Sequence, residues 1–156
     1  MATDAASRAR ASQSSTSGLQ DTLALAGRIL VALMFIPAGI SKITGFDGTV
    51  GHIAAAGLPL PALGAVLTIV VEVGAGLLFL LGLKTRWMAL VLVLFTLVAS
   101  VFFHKYWAME GQMAYMNQLM FFKNLAVTGG LLAVAAFGGG AFSVDASAVF
   151  NAWRHK

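Results

Sequence analysis

The sequence predicts an all-α membrane protein, a bundle of four transmembrane helices with N- and C-termini in the cytoplasm. Three observations predict it. Of the 156 residues, 59% are hydrophobic and only 10% are charged, against about 25% charged in an ordinary soluble domain. So few charges cannot coat a water-facing surface. Four apolar stretches, at about 23–43, 63–83, 87–105 and 119–137, have roughly the length that a helix needs to cross the hydrocarbon core. Their apolar runs are unbroken rather than alternating, which selects helices over a barrel. Finally, the basic residues mark an orientation. Arg8, Arg10, Arg28, Lys84, Arg86, Arg154 and Lys156 fall on the side of the termini, and Lys42, Lys105 and Lys123 on the other. Seven against three places the termini inside.

The net charge of +4 does not point to nucleic acid, because the basic residues are scattered singly at helix ends instead of lining one face. The absence of cysteine excludes disulfides, thiol relays and iron–sulfur ligation. The expected partner of most of the chain is a lipid bilayer.

Residues 1–20, rich in Ala, Ser and Thr, read as a disordered tail. The apolar run from Leu23 is longer than a signal-peptide core, and Asp4 counts against a transit peptide. Residues 21–142 form the four-helix domain, and 143–156 a cytoplasmic tail. In the loop after the first span, Ile53-Ala54-Ala55-Ala56-Gly57 has the character of a short helix lying at the membrane surface. Pro59 and Pro61 open the second span, where a first-turn Pro costs little. Lys84-Thr85-Arg86 alone separate the second and third spans, so these form a tight hairpin. The loop 104–118 carries Tyr106, Trp107 and Tyr115, as expected of rings at headgroup level. Its Met109, Met113 and Met116 read as apolar packing, not as a copper site.

Helical spacing gathers the polar residues into stripes. Arg28, Ala32, Phe35, Gly39 and Lys42 share one face of the first span. Gly64, Thr68, Glu72 and Gly76 do so in the second, Thr96, Ser100 and His104 in the third, and Asn124 and Thr128, beside Lys123, in the fourth. The small and hydroxyl residues serve close helix packing. Glu72 is different: at mid-span a charge costs about 2.5–3.5 kcal/mol, tolerated because the helix's many aliphatic residues return roughly 0.3–0.6 kcal/mol each. It is expected to be protonated or paired with Arg28, Lys42 or Lys123, either as a strut or as a ligand and proton-handling group. Arg28, about one and a half turns inside its end, can snorkel. Lys42, His104, Lys123 and Asn124, with Glu72 below them, outline a polar cavity that opens outward, which a bend at Pro37 would widen.

His104 is the one histidine on an expected span, so neither intrinsic haem nor any other metal is expected. Gly74-Ala75-Gly76 lies in an apolar helix and is no dinucleotide fingerprint. Any electron carrier must be a bound small molecule or a partner subunit.

The chain resembles the DoxX family of small four-span bacterial membrane proteins over residues 23–142. The likeness rests on Arg28 and Ala38-Gly39-Ile40-Ser41-Lys42 in the first span, then Gly57-Leu58-Pro59-Leu60-Pro61, Glu72, Gly76 and Gly82-Leu83-Lys84-Thr85-Arg86. Phe103-His104-Lys105-Tyr106-Trp107, Phe122-Lys123-Asn124-Leu125 and Gly129-Gly130 follow in the family's order. Tyr106 departs from the Phe expected before the tryptophan. The resemblance implies small subunits of terminal quinol oxidases or thiosulfate–quinone oxidoreductases, and members tied to quinone or catechol resistance or to oxidative-stress complexes. Carried over by position, Arg28, Lys42, Glu72, His104, Lys123 and Asn124 become the candidate ligand-binding residues, joined by Trp107 stacking at the mouth. Glu72 and His104 are the candidate catalytic, proton-handling groups. The expectation is an accessory or subunit of quinone-linked oxidoreduction that binds a quinone or similar small aromatic between its helices, with oxidoreductase subunits as partners. A structural subunit without a ligand and a small-molecule permease are the alternatives.

Overall fold

The computed structural model describes residues 2–147, with side chains from residue 17 onwards. Its long elements are helices: α1 (Ala2–Thr44), α2 (Phe46–Ala55), α3 (Pro61–Ile69), α4 (Gly76–Leu81), α5 (Thr85–Phe103) and α6 (Gly111–Phe137). Among the described residues, four helical stretches are long and apolar enough to cross a membrane: Ser17–Thr44, Pro61–Leu81, Thr85–Ala108 and Gly111–Phe137. The second joins α3 to α4 through a π-helical turn, Val70–Ala75. Large apolar side chains point away from the bundle, Leu30 at 70% exposed, Leu94 at 66% and Phe137 at 86%. In water this surface would aggregate; in a bilayer it meets its solvent.

Two boundaries differ from the expectation. Helix α1 begins at Ala2 and so runs through the segment read as a disordered tail. Alanines recur along it, and the first proline is Pro37, so nothing there breaks a helix. The fourth span begins at Gly111 rather than 119, because Gln112, Met113, Ala114 and Met116 are good helix formers and extend the apolar run outward. The tail beyond residue 147 lies outside the described residues.

Glycines set the register between α1 and the second span. A Cβ on Gly39 would lie 2.6 Å from Val73 Cγ2, and one on Gly76 would lie 3.1 Å from Ile36 Cγ1. The two helices therefore run antiparallel with backbones in close approach. The core is Phe35, Ala75, Phe79, Ala89, Leu92, Val93 and Leu131, with Phe35 edge-on to Phe95 at 6.4 Å between ring centres. Helix α6 packs along α5, tied to it by Asn124 Nδ2 donating to Ser100 Oγ at 3.0 Å.

One end of the bundle is locked by the chain after α6. The hairpin turns through Gly82 (φ 73°) and Lys84 (φ 48°) into α5, whose start has no side-chain cap from its N-cap residue. Asp145 caps it from afar, accepting from the backbone N–H of Lys84 and Thr85 and from Thr85 Oγ1, each at 2.8 Å. A carboxylate there meets the positive end of the helix dipole. Arg28, 0% exposed, belongs to this lock: it donates to Leu80 O at 2.8 Å and to Phe142 O, and it feels the Asp145 charge. The Ala141 N–H donates to Asp21 Oδ1 at 2.7 Å, so the start of the first span and the end of the fourth lie on the same side.

Candidate ligand-binding site

The polar stripes converge. Glu72 is held inward by the π-turn, a device that occurs as single turns within α-helices and is frequent at functional sites. Its side chain is 8% exposed and meets Lys42, whose Nζ donates to Oε1 at 2.9 Å and to Oε2 at 2.8 Å. Lys42 Nζ also reaches Ala38 O at 3.4 Å. Of the two states expected for Glu72, protonated or paired with a basic residue, this geometry has the pair, and the partner is Lys42 rather than Arg28 or Lys123.

The pair borders a cavity of about 630 Å³ near the end of the bundle opposite the Asp145 lock. Cavities of roughly 300–1,000 Å³ suit small organic ligands. Polar groups enter from each span: Lys42 from α1, Thr68 and Glu72 from the second, Thr96 and His104 from the third, and Lys123 and Asn124 from α6. The remaining wall is apolar and aromatic, with Met34, Phe35, Phe95 and Phe103 prominent. Helix α2 forms one side through Thr49, His52 and Ile53. The short helix expected at residues 53–57 lies earlier, at Phe46–Ala55, and packs on α3 with Ile53 buried against Gly64. The His52 ring stacks on Phe103 at 5.0 Å and 19°.

The hydroxyls Thr96, Ser100 and Thr128 donate to carbonyls one turn back, at 2.7, 2.7 and 2.9 Å. They serve packing. His104 Nδ1 lies 3.2 Å from Asn117 Oδ1, which orients its ring. Lys123 Nζ reaches only the Met120 sulfur, at 3.5 Å, among the described residues.

Two residues from the sequence analysis are elsewhere. Arg28 shares the Lys42 face of α1, as its spacing requires, but lies in the lock at the far end; it is buried and bonded and does not snorkel. Trp107 is 57% exposed and packs with Tyr106 and Phe121, centres at 5.2 and 5.8 Å. It does not line the cavity. The ring pair at the cavity is His52 and Phe103, which sequence reasoning missed. The hint was a histidine in a loop already suspected of helix. Among the described residues, no three His, Cys, Asp or Glu side chains gather as metal ligands would.

The family model for DoxX matches residues 23–105, more than half of the chain. The chain belongs to the DoxX family. This DoxX protein is similar to inner membrane protein YqjF of Escherichia coli (strain K12), 44% identical over 130 residues that cover 81% of this chain and 92% of the relative. It is also similar to inner membrane protein YphA of the same organism, 42% identical over 123 residues, 79% of this chain and 88% of the relative. A more distant similarity, 29% identity over 123 residues, links this DoxX chain to the Surfeit locus protein 4 homolog of Schizosaccharomyces pombe. It spans 78% of this chain and 36% of that protein. No solved structure matches. The four spans and the bacterial relatives make this DoxX protein a multi-pass protein of the inner membrane.

Proposed function

We propose that this DoxX protein binds a quinone or similar small planar aromatic in the cavity between its helices and acts as a membrane accessory of quinone-linked oxidoreduction. One observation carries the reading: the Lys42–Glu72 pair stands at a cavity where a few polar groups, His104, Lys123 and Asn124 among them, are set in a largely aromatic and aliphatic wall. Charges inside a membrane are costly and usually face a pathway or a bound group. In this reading Lys42, Lys123 and Asn124 donate hydrogen bonds to ring oxygens. His52 and Phe103 offer a flat face for stacking, the role that the sequence analysis gave to Trp107. Glu72 and His104 supply or accept the two protons that accompany two electrons when a quinone becomes a quinol. The electrons come from a partner oxidoreductase subunit.

A structural subunit is the second reading, favoured by α6, which packs along α5 and leaves open space beside Gly129 and Gly130. Thermal unfolding with and without tetramethylbenzoquinone separates the two. Ala99 lines the cavity, so Ala99→Leu narrows it. The quinone is expected to raise the melting temperature of the natural protein more than that of Ala99→Leu. Equal shifts in both, or none in either, would remove the cavity as the binding site and leave the structural reading.

A further inference from the structure

Lys123 stands at the middle of α6, twelve residues from Gly111 and fourteen from Phe137, or about 18 Å from the nearer end at 1.5 Å per residue. It is exposed on the bundle, unlike the adjacent Asn124, which bonds Ser100 within the α5–α6 contact, and it lines the cavity. A charge in apolar surroundings is costly unless something answers it.

The cavity does not answer it. Its ionisable side chains are Lys42, Lys123, Glu72, His52 and His104. The one carboxylate, Glu72, already receives two bonds from Lys42 at 2.8 and 2.9 Å. Lys123 is left with a thioether at 3.5 Å, a weak acceptor. With both histidines neutral, the wall carries two positive charges and one negative. Protonating either histidine adds to the excess.

We propose that the ligand supplies the missing anion: it is an acidic aromatic, an ionised phenol, enol or carboxylate on a planar apolar body, with its charged oxygen on Lys123. This rests on the reading that the cavity binds a planar aromatic, and it narrows the class from neutral quinones to acidic ones. A charge-assisted hydrogen bond inside low-dielectric surroundings is stronger than a neutral one, so ionisation should govern affinity.

The test uses the full chain in phosphatidylcholine nanodiscs and two probes of nearly equal shape. One is a hydroxynaphthoquinone whose enol is ionised at neutral pH, the other its methyl ether, which stays neutral. The hydroxy compound is expected to bind at least about tenfold more tightly than the ether. Lys123→Met should bring the two together, and Lys123→Arg should keep the preference. Lys123→Met should also leave the empty protein as stable as before or more so, which guards against a trivial loss of fold. Equal binding of both probes by the natural protein would overturn the acidic ligand while leaving the cavity reading intact. Binding of neither would overturn both. If added phosphatidylglycerol abolishes the preference, the anion on Lys123 is a lipid headgroup and the proposal falls.

Discussion

A Cβ placed on Gly39 would lie 3.0 Å from the Cβ of Glu72 and 3.2 Å from the backbone nitrogen of Val73. The close pass of α1 over the π-turn is what puts Lys42, one turn further along α1, beside the Glu72 carboxylate. A glycine three residues before a lysine thus sets the geometry of a charge pair on another helix.

Gly39→Ala tests this relationship. The added methyl meets the backbone of the π-turn, which cannot swing aside as a side-chain tip can, and overpacking of this kind costs about 1–3 kcal/mol. The internal control is Gly27→Ala on the same helix, where a Cβ meets nothing within 4 Å; it should be neutral or slightly stabilising. Chemical denaturation in mild detergent reads both. Equal stability of the two variants would show that the close pass does not hold α1 in place.

The lock at the other end gives a second prediction. Arg28→Met removes the donor to Leu80 O and Phe142 O; a fully buried acceptor left without a partner costs about 1–3 kcal/mol, and these two part-buried ones less. Asp145→Asn weakens the α5 cap and the field around Arg28 together. Both variants should melt earlier yet keep the quinone response of the natural protein, since neither residue lines the cavity. Loss of that response in a folded Arg28→Met protein would return Arg28 to the binding residues.

These contrasts show what the sequence could and could not disclose. The four stripes were legible because a polar residue in a membrane helix has few places to go but inward. Glu72, Thr96, Ser100, Asn124 and Thr128 are accordingly buried. The separation of Arg28 from Lys42 was legible too, since fourteen residues place them about 21 Å apart along the axis; Arg28 joined the candidate ligand residues only through the family resemblance. The π-turn has no sequence signature in Val70-Val71-Glu72-Val73. The Asp145 cap was hidden because its partners are 60 and 61 residues away. Its one trace is that α5 starts after Lys84, a residue that cannot cap.

Membrane orientation is a third prediction. Arg28 is consumed by the lock and Lys42 by Glu72, so neither is free to act as an interfacial charge in the folded bundle. Discounting both leaves six basic residues on the side of the termini and two on the other, and the bias is kept. The Ala141–Asp21 bond supports both ends of the four-span bundle facing one side. A fluorescent protein that matures only in the cytoplasm should glow when fused after Lys156, and a phosphatase active only in the periplasm should be silent there. The opposite pattern would turn the cavity toward the cytoplasm.

The last prediction separates a strut from a site at the Lys42–Glu72 pair. Glu72→Gln leaves Lys42 facing an amide, and Lys42→Met leaves a carboxylate at 8% exposure without its cation. Breaking a buried pair from one side typically costs about 3–5 kcal/mol, whereas replacing both partners by apolar residues of similar volume is often neutral or stabilising. The double variant Lys42→Met/Glu72→Leu should therefore be more stable than either single variant and close to the natural protein. Stability alone cannot tell the two roles apart, so the ligand response is measured on the same proteins. If the pair only braces α1 against the π-turn, the double variant should bind tetramethylbenzoquinone as the natural protein does. If the pair donates to ring oxygens and moves protons, the double variant should stay folded and lose the response, because methionine and leucine can do neither. A stable double variant with an undiminished thermal shift would remove Lys42 and Glu72 from the binding residues and leave His104, Lys123 and Asn124 to account for the ligand.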